Sequence, residues 1–272
     1  MMIECHAILP AVPEAERACI ESLDCFARIG STSTWLTSQA VPADGCCRIA
    51  VAHEQTAGRG RRDHRWVSPG AAGLWLSLAW TFEKVPERLP GLTLAIGVAL
   101  ADALHALGAD VRLKWPNDLI ANDGKLGGIL TELQSQADRQ RTVIVGVGIN
   151  MDLPGDVRER IEAERGARVT DLKACLDPLP ERPAFAALVI GSLIRSMRRF
   201  AAAGLGADLE TWQRYDWLAG KRVTVEQDGR PRVSGTAWGV DADGALLLRT
   251  SGQLQRVLSG SVELEDSAEA SA

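Results

Sequence analysis

Residues 142–149, Thr-Val-Ile-Val-Gly-Val-Gly-Ile, form a nearly continuous apolar run, and this run most constrains what the chain can fold into. It is far shorter than the ~20 residues of a membrane span. With no polar face of its own, it suits the centre of a sheet covered on both sides. Strand patterns gather around it. Leu74, Leu76, Leu78 and Trp80 alternate, and Leu23–Ile29, Cys46–His53, Val111–Leu113 and 126–134 also read as strands. Ser31-Thr32-Ser33-Thr34 offers an N-cap for a helix through Trp35 and Leu36. Leu92, Ile96, Ala99, Ala103 and Leu107 keep helical spacing up to a stop at Gly108. Helices are also predicted over 184–203, with Phe185, Leu188, Leu193 and Met197 among the apolar positions, and over 207–217. Residues 1–20 are weakly patterned, a short helix or a loose arm.

From Gly220 the pattern changes to short strands near 222–226, 233–240, 244–249 and 253–258. Asp228-Gly229 and Asp243-Gly244 mark turns between them. The predicted class is α+β: a mixed β-sheet domain with helices packed on it over 1–218, a small antiparallel barrel or sandwich over 219–265, and a disordered tail at 266–272. The small unit is too short to be robust unless it docks on its neighbour.

Charge excludes some functions. A net charge of −5 and a pI near 5.5 argue against a general nucleic-acid binder. The six cysteines, Cys5, Cys19, Cys25, Cys46, Cys47 and Cys175, contain no CxxC pair and fit no zinc or disulfide framework. They read as small buried hydrophobes in a reducing compartment. No secretory signal or membrane span is recognised, so a cytoplasmic location is expected.

Against that acidic background, Gln55-Thr56-Ala57-Gly58-Arg59-Gly60-Arg61-Arg62-Asp63-His64-Arg65 is a local concentration of cation and glycine. Glycine lets backbone N–H groups come close to a ligand, and arginine offers a planar fork for phosphate or carboxylate. The run reads as a loop that closes over an anionic small molecule, although an RG-rich stretch also suits nucleic acid. Lys114-Trp115-Pro116-Asn117-Asp118-Leu119 sets a point cation beside an Asn-Asp pair able to bind sugar, phosphate-linked water or Mg²⁺; an Asx-turn with a surface lysine fits equally. Gly124-Lys125-Leu126-Gly127-Gly128 places a lysine at a strand mouth before glycines that admit close approach, or else is a hairpin tip. Gly146-Val147-Gly148-Ile149-Asn150 ends the central strand on an amide.

Taken in order, Gly30-Ser31-Thr32, the arginine run, Lys-Trp-Pro-Asn-Asp, Lys-Leu-Gly-Gly-Ile and Gly-Val-Gly-Ile-Asn resemble the biotin protein ligases, over roughly residues 22–265. The resemblance implies an enzyme that activates biotin with ATP to biotinyl-5′-AMP and passes biotin to a lysine of a biotin carboxyl carrier domain of an acyl-CoA carboxylase. It implies that Ser31 and Thr32, with Gln55, hydrogen-bond the biotin ureido group; Ser33 also falls on the biotin side but stands where asparagine is common, so that one contact there is lost or passes through water. Arg59, Gly60 and Arg61 would lie along biotin, and Lys125 would approach its carboxylate. Lys125 and Arg61 are the implied catalytic pair. Arg59, Arg61, Arg62, Lys114, Asn117, Asp118 and Asn150 fall to the nucleotide side, with Mg²⁺ arriving on ATP and no resident metal. Trp66 reads as packing, and Asp63 replaces a usual glycine. The terminal unit resembles the family's SH3-like module. Only about 22 residues precede the first matched strand, so no DNA-binding repressor activity is expected. Family members are monomers or homodimers. A lipoate or octanoate ligase is the nearest alternative, a nucleic-acid module the alternative of another class, and a structural protein the third.

Overall fold

The computed structural model describes residues 5–84, 86, 89–135, 141–227 and 229–265. The expected tail at 266–272 and Asp228 of the first turn lie outside the described residues. Two short helices, α1 (Cys5–Ala11) and α2 (Glu14–Arg17), lead into β1 (Ile20–Phe26). Then come α3 (Thr32–Thr37), β2 (Cys47–Ala52), β3 (Gly73–Phe82), α4 (Leu92–Ala106), β4 (Arg112–Lys114), β5 (Asp118–Ala121), β6 (Gly124–Ser135) and β7 (Arg141–Asn150). Helices α5 (Gly155–Arg165), α6 (Arg182–Ala203) and α7 (Leu209–Tyr215) follow, and strands β8 (Arg222–Glu226), β9 (Val233–Val240), β10 (Leu246–Thr250), β11 (Gln253–Val257) and β12 (Ser261–Leu264) end the described chain.

The first seven strands make one sheet in the order β1-β2-β3-β7-β6-β5-β4. It is mixed, because β1 and β2 run parallel and the other pairs antiparallel. The run at 142–149 is indeed central, as β7 between β3 and β6. Val143, Val145, Val147 and Ile149 face a core shared with Leu74, Leu76 and Leu78 of β3 and with α4 and α6. Residues Leu89–Ala106 are long and apolar enough to cross a membrane by length and composition, yet 67% of that window is buried, as in the core helix of a soluble protein. The last five strands form an antiparallel sheet, β11-β10-β9-β8-β12. Val223, Val225, Ala237, Leu246, Leu248 and Val257 join the same core, so the small unit docks as its size requires. The α+β class holds.

Three elements escaped the sequence pattern, each for a physical reason. Helix α5 buries only Val157 and Ile161 among polar residues, too thin an apolar stripe to register as periodicity. Strand β5 begins at the end of the Lys-Trp-Pro-Asn-Asp run, whose Lys114 and Asp118 pair on either side of the turn in a β4–β5 hairpin. Strand β12 is four residues long. The cysteine reading needs a correction. Cys19 and Cys47 are buried thiols, but Cys5 and Cys25 form a disulfide that ties α1 to β1, with Cα atoms 5.8 Å apart. The pair is 20 residues apart in sequence. Only the return of β1 along α1 brings the two together, and spacing carries no signal of that.

Candidate functional site

Strand register makes the floor of a cavity. The face of the main sheet opposite the core carries alternate residues of each strand. On that face Ser77 of β3 pairs with Gly146 of β7, and Trp75 with Gly148. Across β7, Gly148 pairs with Gly128 of β6, and Gly146 with Leu130. Ala50 and Ala52 of β2 continue the small surface opposite Ser77 and Trp75. A one-residue slip of β7 would turn Val145 and Val147 into this space. The hollow above holds about 1070 Å³. Trp66 lies on the glycine floor: a Cβ at Gly148 would stand 2.6 Å from its ring. The sequence therefore places Gly148 and Gly128 where side chains would crowd an indole.

One end of the cavity is a knot of short polar side chains. Ser31 caps α3 and accepts a hydrogen bond from the Thr34 backbone N–H at 3.4 Å. Ser31, Thr32 and Ser33 are all buried. The Thr32 backbone N–H and hydroxyl both donate to Gln55 Oε1, at 2.9 and 3.1 Å. Gln55 Nε2 donates to Ser68 Oγ at 3.0 Å. Ser77, buried within β3, stands 2.7 Å from Thr32 Oγ1 and 2.9 Å from Ser33 Oγ. Buried hydroxyls and amides bonded to one another give a rigid, directional surface.

The arginine run forms a wall. Arg59 makes a bidentate ion pair with Glu132, at 2.7 and 3.0 Å. Arg61 Nη1 donates to the Gly260 carbonyl at 3.1 Å, and Arg62 donates to Ser261 Oγ at 2.9 Å and the Glu226 carbonyl at 3.0 Å. The loop thus bridges the two sheets. Arg62 has φ 53°, a left-handed conformation that costs a non-glycine residue strain. A Cβ at Gly58 would meet the Trp66 carbonyl at 2.5 Å, so only glycine allows this turn. Helix α5 clamps the loop from outside, where Arg165 donates to the Arg65 carbonyl at 2.7 Å.

The β4–β5 hairpin lines the same cavity. Lys125 Nζ sits 2.6 Å from Asp118 Oδ1 and 5.4 Å from the centre of the Trp66 ring. Asn117 lines the cavity, and its amide donates to the Ile129 carbonyl at 2.8 Å, holding β6 in place. Burial pushes the Lys114 ammonium below its ordinary value, against the pull of Asp118. Trp115 is buried and donates to the Gly244 carbonyl of the second sheet at 3.0 Å. Among the described residues lining the cavity, Lys and Arg outnumber Asp and Glu, eight to five, which favours an anion.

Of the residues singled out from sequence, Ser31, Thr32, Ser33, Gln55, Arg59, Gly60, Arg61, Arg62, Lys114, Asn117, Asp118 and Lys125 all line this one cavity. Asn150 does not line it. It is buried behind the wall, where its amide donates to the carbonyls of Thr170 at 3.0 Å and Lys125 at 3.4 Å. Ser77 and Trp217 line the cavity and were not singled out. Ser77 had a legible signal: a lone hydroxyl in a strand otherwise apolar from Leu74 to Trp80.

Comparison with known proteins agrees with this arrangement. Residues 26–150 match the model of the Biotin/lipoate A/B protein ligase family, and residues 219–265 match the Biotin protein ligase C terminal domain. The bifunctional ligase/repressor BirA of Escherichia coli is 36% identical over 215 residues, 79% of this chain, and the chain spans 65% of that relative's length. The biotin–[acetyl-CoA-carboxylase] ligase of Mycobacterium tuberculosis is 33% identical over 248 residues, covering 88% of each chain. The structure of an Aquifex aeolicus biotin protein ligase in complex with biotin and ATP shares the fold, with a TM-score of 0.74 and 24% identity over 91% of this chain and 100% of that one. With two domain models in the family's order and a relative of this identity spanned over most of its length, this chain belongs to the biotin protein ligase family.

Proposed function

We propose that this chain joins biotin to a carrier lysine in two steps. The biotin carboxylate attacks the α-phosphate of ATP, giving biotinyl-5′-AMP and releasing pyrophosphate. The carrier lysine then attacks the acyl carbon of the mixed anhydride, and AMP leaves. The observation that carries this reading is a single cavity with a short-side-chain polar knot at one end and Lys125 with the arginine run around the remainder. A compact cyclic urea suits the knot, which rejects ligands that leave its buried groups unpaired.

In this reading Lys125 orients the biotin carboxylate and then stabilises charge developing on the α-phosphate. Asp118 holds the lysine in place. Arg59, Arg61 and Arg62 face phosphate, and Lys114 and Asn117 serve the nucleotide side. Asn150 acts indirectly, through the backbone at Lys125. Among the described residues no group of three His, Cys, Asp or Glu side chains gathers. In this reading Mg²⁺ enters with the triphosphate, with water and phosphate as most of its ligands, and Asp118 is a carboxylate of the cavity that could join them. Residues 1–218 act as the ligase domain, and 219–265, which line part of the cavity, close one side of the nucleotide site or help to dock the carrier, a biotin carboxyl carrier domain of an acyl-CoA carboxylase. An ATP-consuming step places the chain in the cytoplasm, and the Cys5–Cys25 disulfide pulls against a reducing compartment.

The test is mass spectrometry of a carrier domain incubated with the protein, biotin and Mg·ATP. One biotinyl addition on one lysine, absent when ATP or biotin is withheld, is expected. A carrier that gains lipoyl in place of biotin under direct competition would overturn the reading.

A further inference from the structure

The hydroxyls of Thr32, Ser33 and Ser77 form a chain whose proton direction is set by one group that cannot reverse. The Thr32 backbone N–H lies 2.9 Å from the Gln55 side chain. A backbone N–H only donates, so the amide oxygen of Gln55 faces Thr32, and its nitrogen faces Ser68. The Thr32 hydroxyl, 3.1 Å from the same oxygen, must donate its one proton there. Toward Ser77, 2.7 Å away, Thr32 can then only accept. Ser77 spends its proton on Thr32, so across 2.9 Å it can only accept from Ser33. The Ser33 proton is thereby committed to Ser77.

From this order we infer that Ser77 is a positioning residue that determines specificity: it fixes Ser33 Oγ as a pure hydrogen-bond acceptor toward the cavity, for one N–H of a cyclic urea. The inference rests on the biotin reading above. Gly146 keeps the Ser33 oxygen accessible, since a Cβ there would stand 2.9 Å from it. Gln55 carries a second amide proton beyond the one given to Ser68, and the Ser31 hydroxyl has a proton of its own, because its bond with Thr34 uses only a lone pair. The knot thus offers two donors for a urea carbonyl and one acceptor for a urea N–H. Serine at position 33 keeps an acceptor where an asparagine side chain would present both kinds of group, and it does so through a strand residue that never needs to touch the ligand.

The experiment is isothermal calorimetry on the full chain with two probes: biotin, and the cyclic carbamate analogues in which one ureido N–H is replaced by ring oxygen. The native chain is expected to bind the carbamate whose ring oxygen meets Ser33 about 10- to 100-fold more weakly than biotin, since two acceptors then face each other. In Ser77→Ala the Ser33 proton is released and can turn toward that ring oxygen. Biotin should then bind more weakly and the carbamate more tightly than in the native chain, cutting the ratio about tenfold or more. A packing defect alone would move biotin and its near-isosteric carbamate in the same direction and leave their ratio unchanged. Ser77→Thr, which keeps the hydroxyl, should restore the native ratio. Should Ser77→Ala fold poorly, Ser77→Cys keeps the volume with only a weak donor and should move the ratio the same way. Tight biotin binding by the native chain with an unchanged ratio in these variants overturns the role of Ser77 alone. No heat with biotin in the native chain overturns the ligand reading and this inference with it.

Discussion

Two side chains at the junction and the wall show how much one residue can decide. Asp216 is buried, with one carboxylate oxygen accepting from the Leu218 N–H at 2.9 Å and the other unpartnered. Burial pushes its carboxyl from 3.8 up to about 6. A folded value above the unfolded one means that the fold prefers the protonated form. That contribution is complete below the unfolded value near 3.8 and is lost as pH rises through about 6. Asp216→Asn keeps the acceptor for Leu218 without the charge. It should leave stability at pH 4 nearly unchanged and raise it at pH 7.5 by an amount on the order of 2–3 kcal/mol. Urea unfolding at the two pH values measures this, and an equal effect at both would show that charge burial is not the cause. Lys125 is held 2.6 Å from Asp118, and in the proposed reaction it orients the biotin carboxylate. Lys125→Ala should abolish biotin-dependent ATP–pyrophosphate exchange while biotin still binds; near-normal exchange would remove Lys125 from the mechanism.

The arginine run behaves as a fastened element. Its centre holds the second sheet through Arg61 to Gly260 and Arg62 to Ser261 and Glu226, its far end is clamped by Arg165, and Arg62 carries the strain of a left-handed backbone. The proposed reaction forms an acyl adenylate, which is lost if water reaches it, so a loop that shields it must close well. Arg61→Gly removes one fastening and adds backbone freedom. It should release the intermediate, read as a several-fold rise in nonspecific biotin labelling of a bystander protein; unchanged selectivity for the carrier would reject the shielding role. Most elements here were legible because one periodicity dominated each of them: β3 and β7 by alternation and apolar run, α4 by its stripe. The β4–β5 hairpin was masked by residues read for chemistry, and α5 by its polar surface.

At the scale of the molecule, the second sheet is held by the shared core and by the Trp115 N–H bond to Gly244. Trp115→Phe would leave the Gly244 carbonyl unpaired in a buried place, at a cost of about 1–3 kcal/mol. Hydrogen exchange should then speed up across 222–264 more than in β3 and β7, whereas uniform acceleration would mean that the two sheets open together. The sequence by itself determined the class of the fold, the order of its main elements and twelve of the residues that line the cavity, because periodicity and capping are local and because arginines, lysines and glycines clustered in one run restrict the chemistry. Tertiary structure alone decided that Ser77 joins the polar knot, that Asn150 stands behind the wall, that Cys5 meets Cys25, and that the arginines fasten one sheet to the other. Those outcomes depend on which strands pair and in what register, and register is set by burial summed over the whole sheet, which no short stretch of sequence contains.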